Sequence, residues 1–126
     1  MKPIYIIGPY HDNPSQWVER LTHITRLVSE SERGHEVVIM CPHPMIHTNA
    51  YGDKVKAMTQ SLNAIMMAAT FDESELWIVL DDNGQYSSGV ELELEMWKMW
   101  RDDYSIHEMR YCDWIQYLEM VWLDDE

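Results

Sequence analysis

Three short apolar runs constrain what this chain can fold into. Ile4 to Ile7 is β-branched and aromatic and is closed by Gly8 and Pro9; EVVIMC follows His35 and ends at Pro42; Leu76 to Leu80 is the most apolar of the three. Each is a continuous run, as in a strand covered on both faces. Between the first two, Trp17, Leu21, Ile24, Leu27 and Val28 recur at helical spacing before Gly34, which predicts a helix from about Ser15 to Ser31. Between the second and third, Lys54 to Ala69 reads as a helix with Val55, Met58, Leu62, Ile65 and Met66 as its stripe. The β-α-β-α-β order predicts a three-layer α/β fold: a small parallel sheet flanked by helices, Rossmann-like or flavodoxin-like.

After the third strand the turn-rich DDNGQYSS opens SSGVELELEMWKMW. Ser88 reads as an N-cap and Glu91 as its capping-box partner, so a helix is expected from Gly89. Val90, Leu94, Trp97 and Trp100 then share one face, while Glu91, Glu95 and Lys98 lie off it. Glu93 lies inside the apolar stripe, where a charge is costly unless it is paired or used. The alternation ELELE also admits a half-buried strand with every glutamate in solvent, and in a helix Glu93 could instead snorkel past the tryptophans. Farther on, YSIHEMRY reads as a fourth, edge strand and CDWIQYLEMVWLDDE as a last helix with Trp114, Tyr117, Leu118 and Val121 on one side.

With 126 residues the chain is read as one domain, 1–126, large enough for a core without disulfides or metal. Its formal charge of −13 argues against nucleic acid or an anionic membrane as partner, since both call for a basic face. Cys41 and Cys112 are far apart and outside any CxxC, as in a cytoplasmic protein with reduced thiols. No run is long enough for a membrane span, and the start MKPIYIIGPY is too quickly polar for a signal peptide.

In open α/β sheets the ligand crevice lies outside the carboxyl ends of the strands, where Tyr10, Asp12, His43, His47 and Glu93 would converge. A dinucleotide or P-loop site needs more glycines than the single Gly8 after strand 1, and no cofactor is expected. His43 and His47 lie in a proline-containing loop with no carboxylate to complete a ligand set, and Cys41 with His43 lacks a third orienting group. Neither a metal site nor a nucleophile pair is expected there. Ser87 and Ser88 most simply cap a helix, although hydroxyls beside Gly89 at a helix start can also hold a phosphate.

GPY after strand 1, GHEV and PHP around strand 2, and S-x-G-V-x-x-E after strand 3 resemble the nucleoside 2-deoxyribosyltransferase family, including its 2′-deoxynucleoside 5′-monophosphate N-glycosidase branch. The resemblance spans roughly residues 3 to 97. It implies that Glu93 is the nucleophile attacking the anomeric carbon, that Ser87 contacts a 5′-phosphate, and that Tyr10 is the family's aromatic after strand 1. The chain departs from the pattern at Glu95, where a small residue is usual, and in lacking the arginine and glycines that help hold phosphate. The family's aspartate on the helix before strand 3 has Asn63 as its nearest counterpart by helical position.

The implied activity is cleavage or transfer of an N-glycosidic bond in a nucleoside or nucleotide through a covalent glutamyl-sugar intermediate. Asp12 or Asn83 would hold sugar hydroxyls, Tyr10 would stack on the base, and Trp97 and Trp100 would shield the carboxylate. The alternatives are a non-catalytic nucleotide-binding or sequestering module on the same fold, and an acidic interaction protein. In the latter the tryptophan-rich C-terminus, with Trp97, Trp100, Trp114 and Trp122, forms a homo-oligomer face. A homodimer or higher homo-oligomer is expected, because one sheet face looks too narrow to cover all these aromatics.

Overall fold

The computed structural model describes residues 2–9, 14–30, 36–42 and 53–122. Tyr10, Asp12, His43 and His47, together with the Gly34 helix stop, lie outside the described residues, as do the side chains of Val121 and Trp122.

The chain runs β1 (Lys2–Ile7), α1 (Pro14–Glu30), β2 (Val37–Met40), α2 (Lys54–Ala69), β3 (Glu75–Leu80), α3 (Ser88–Lys98), β4 (Ile106–Arg110) and α4 (Tyr111–Tyr117). A π-helical stretch, Leu118–Trp122, prolongs α4. The four strands form one parallel sheet in the order β2-β1-β3-β4. The three-layer α/β architecture is thus present, with the edge strand at β4 and α3 helical where ELELE also admitted a strand. Pro14 is the first residue of α1, a position where its missing N–H leaves no helical bond unmade.

Alternation along the central strands divides the core in two. Ile4, Ile6, Trp77 and Val79 face α1 and α4, where Trp17, Leu21, Ile24, Val28, Trp114 and Leu118 cover them. Tyr5, Ile7, Leu76 and Ile78 face α2 and α3, meeting Ile65, Ala68, Ala69, Val90, Leu94 and Trp97. Covering on both sides explains why the sequence of β1 and β3 shows no alternation. The edge strand β4 exposes His107, Glu108 and Arg110 instead, which discourages further strand pairing.

Four expectations are corrected. Ser87, not Ser88, is the N-cap of α3, its hydroxyl accepting from the Val90 N–H at 3.2 Å, and the helix starts at Ser88. With this register Glu91 is one residue too far for a capping box; its N–H instead bonds the Ser87 carbonyl. Trp100 lies beyond the C-cap Met99 and is 54% exposed, because the helix ends before the stripe reaches it. On α2 the buried face is Ala57, Ile65, Ala68 and Ala69, whereas Val55 and Met66 are exposed. The alanines let α2 approach the sheet and α3 closely, and with Ile65 they set its inward face.

Two of the C-terminal tryptophans, Trp97 and Trp114, are covered within the chain. Trp114 stacks on Trp77 with ring centroids 4.6 Å apart, and its indole N–H donates to the Ile78 carbonyl at 2.9 Å. Trp97 is buried, donating to the Ser105 hydroxyl at 2.8 Å, which itself donates to the Asp102 carbonyl. Neither Trp97 nor Trp114 is therefore available as part of a tryptophan interface.

Candidate active site

The strand order places a topological switch between β1 and β3: the chain leaves β1 toward β2 on one side, and returns to β3 and β4 on the other. Loops diverge from the carboxyl ends of two such neighbours and leave a crevice. The described part of its rim is Gly8 and Pro9 after β1, and residues 81–87 after β3.

The β3–α3 loop is shaped by its own backbone bonds. The Asp81 carboxylate accepts from the N–H groups of Asn83 and Gln85, both at 2.9 Å, and Gly84 takes a φ of 75°, which suits glycine. Arg20 of α1 pairs with Asp82 at 2.8 Å and lies over the Trp17 and Tyr111 rings, tying the loop to the opposite layer. The loop delivers the chain to Ser87. Its hydroxyl still has a proton to donate after accepting from Val90, and the N–H groups of Ser88 and Gly89 belong to the helix's first turn, which has no intrahelical acceptors. Gly89 is buried, and a Cβ there would come within 3.1 Å of the Met58 Cε.

Glu93 lies one turn farther on and is only 8% exposed. Among the described residues its carboxyl group has no hydrogen-bonding or ion-pair partner. Burial pushes its pKa up to about 8, because water that would solvate the anion is excluded. Tyr5 of β1 faces the same layer. Among the described residues its hydroxyl is buried without a hydrogen-bond partner, and its pKa is raised by burial first, then by the negative charge of Glu93 and by Cys41. A buried carboxyl and a buried, unsatisfied phenol thus lie close enough to interact electrostatically between the sheet and α3. A buried carboxyl with a raised pKa beside an unsatisfied hydroxyl makes this place a candidate functional site.

Tyr5 was not among the residues singled out from the sequence. Its only signal there is a polar tip inside the run IYII. Of the others, Ser87 is half-buried at the helix start, Ser88 is exposed beside it, and Asn83 is exposed in the loop. Asn63 is exposed on α2, on the side turned away from the buried residues of that helix, and is not brought to Glu93. Among the described residues no three His, Cys, Asp or Glu side chains are grouped as for a metal ion.

No family model, curated protein or solved structure matches this chain. The resemblance to the deoxyribosyltransferases therefore rests on the residues quoted above and on nothing wider. No helix among the described residues is long and apolar enough to cross a membrane.

Proposed function

We propose that the protein cleaves or exchanges the N-glycosidic bond of a nucleoside or nucleoside 5′-monophosphate, with Glu93 as nucleophile. The observation that carries the reading is the buried Glu93 carboxyl, without a partner among the described residues, one turn into the helix that follows β3. A carboxylate oxygen would bond the anomeric carbon while the carbon–nitrogen bond breaks, its electron pair leaving on the base, which takes up a proton. Water or a second base would then attack the same carbon and release the carboxylate. Tyr5 supplies an uncommitted donor that could steady the carboxylate as it ionises, and Ser87 with the first N–H groups of α3 supplies a place for phosphate. Tyr10, Asp12, His43 and Asn83 remain the proposed contacts to base and sugar. The setting proposed is a cytoplasmic homo-oligomer.

One observation favours the second reading, a module that binds nucleotides without cleaving them. With a pKa of about 8, roughly one Glu93 in ten is ionised at pH 7, and the protonated form donates a hydrogen bond but does not attack. The two readings separate by mass spectrometry, before and after proteolysis, of enzyme quenched during incubation with nucleosides and their monophosphates. A sugar adduct on the peptide containing Glu93 is expected; saturable binding with no adduct and no free base would sustain the sequestering reading instead.

A further inference from the structure

A cavity of about 430 Å³ lies at the amino edge of the sheet, the end opposite the crevice that holds Ser87. Its volume falls within the roughly 300–1,000 Å³ of small-molecule sites. The rim comes from the starts of all four strands: Glu36 just before β2, Lys2 opening β1, Glu75 opening β3 and His107 near the start of β4. Strand alternation turns Ile4, Val37 and Met109 toward the α1/α4 layer, where they give the cavity an aliphatic floor. Trp77, Trp114 and Tyr117 form its wall, with half-buried Tyr117 edge-on to Trp114 at a centroid distance of 6.0 Å.

Most of the polar groups here are committed to one another. The Trp77 indole N–H donates to Glu75 Oε1 at 3.1 Å, and that of Trp114 to the Ile78 carbonyl at 2.9 Å, so the indoles offer the cavity ring surface and no donors. Lys2 Nζ donates to Glu75 Oε2 at 2.7 Å, and His107 Nε2 lies 3.6 Å from Oε1. Burial works against the Glu75 anion, but the hydrogen bonds from Lys2 and Trp77 outweigh it and hold the group below the usual carboxylate range. Lys2 and Glu75 thus cancel. Glu36 is exposed and has no hydrogen-bonding or ion-pair partner among the described residues, which leaves its carboxylate as the uncompensated charge at the mouth.

We propose that this cavity binds a small organic cation, an ammonium group carried on an aromatic body, with Glu36 holding the ammonium and Met109 and Tyr117 receiving the ring. A carboxylate beside aromatic surface suits such a ligand on both counts, since ring faces and carboxylates each attract a cation. The formal charge of −13 draws cations to the chain and repels anions. An anionic ligand would find Lys2 already held by Glu75 and would meet Glu36 at the mouth. The cavity shares no residue with the Glu93 site, so the inference does not rest on the glycosidic reading.

Titration of the isotope-labelled full chain with phenethylamine, phenylpropionate and methylammonium, followed through the indole N–H signals in NMR spectra, tests this. Phenethylamine should shift the Trp77 and Trp114 signals saturably at roughly millimolar concentration and leave that of Trp97, buried in the opposite layer, in place. Methylammonium lacks the ring and phenylpropionate reverses the charge, so each should bind at least about tenfold more weakly. Glu36→Lys should weaken phenethylamine at least about tenfold with unchanged far-ultraviolet circular dichroism, and Glu36→Gln serves if that variant folds poorly. No saturable shift of the Trp77 and Trp114 signals overturns the site. Phenylpropionate binding as tightly as the amine overturns its preference for cations, and full affinity in the Glu36 variant overturns the role of that carboxylate.

Discussion

Replacing Glu93 by Gln should stabilise the protein, by an amount that grows with pH. The folded carboxyl has a pKa of about 8 against 4.5 for the unburied group, so the folded state binds the proton more tightly than the unfolded chain. Below pH 4.5 both states are protonated and Glu93 carries no ionisation penalty. Between 4.5 and 8 the unfolded chain ionises while the folded one does not, and stability falls by about 1.4 kcal/mol per pH unit. The loss amounts to about 3 kcal/mol at pH 7 and levels off between 4 and 5 kcal/mol once the folded group also ionises. Glutamine has the same size and a polar tip but does not titrate. At pH 7 Glu93→Gln should therefore gain about 3 kcal/mol, or about 10 °C in Tm, and close to nothing at pH 4. Urea melts of both proteins from pH 4 to 9 at matched concentration read this directly. A variant no more stable than wild type at pH 7, or a difference that does not change with pH, would refute the buried, unpaired carboxyl.

Other substitutions probe the frame and the site. Ser87→Ala should lower stability by about 1 kcal/mol through the lost cap, measured in urea, and Glu91→Ala by much less, because its carboxylate caps nothing. The same Ser87→Ala should raise KM for nucleoside monophosphates more than for nucleosides, and an equal effect on both would argue against a phosphate contact. Tyr5→Phe should leave stability unchanged or raise it by up to about 1 kcal/mol, since the hydroxyl it removes is buried without a partner. Trp114→Ala should cost about 3–5 kcal/mol, because it empties the space against Trp77 and frees the Ile78 carbonyl.

How far the sequence reveals this molecule depends on what each residue type signals. The runs of β1 and β3 are plain because both faces are covered, so no polar residue interrupts them. The bounds of α2 are equally plain, yet its inward face is not. Ile65, as its spacing indicates, and the alanines at 57, 68 and 69 do the packing there, while the bulkier Val55 and Met66 point outward. Hydrophobic spacing alone does not rank two faces of one helix. Adjacent serines at 87 and 88 are both competent caps, and only the loop geometry set by Asp81 selects the first. Glu93 is legible because a carboxylate within an apolar stripe demands a reason. Tyr5 is hidden, because tyrosine in a strand ordinarily signals packing and nothing in the string shows that its hydroxyl lacks a partner.

Release of free base measures most directly whether Glu93 performs covalent glycosidic chemistry. Wild type and Glu93→Gln are incubated with ribo- and deoxyribonucleosides and their 5′-monophosphates, and free bases are separated chromatographically. Wild type is expected to release base from at least one class of substrate, with kcat/KM rising as pH approaches about 8 and Glu93 ionises, while Glu93→Gln, folded and more stable, releases none. Equal base release by the two proteins would contradict the assignment.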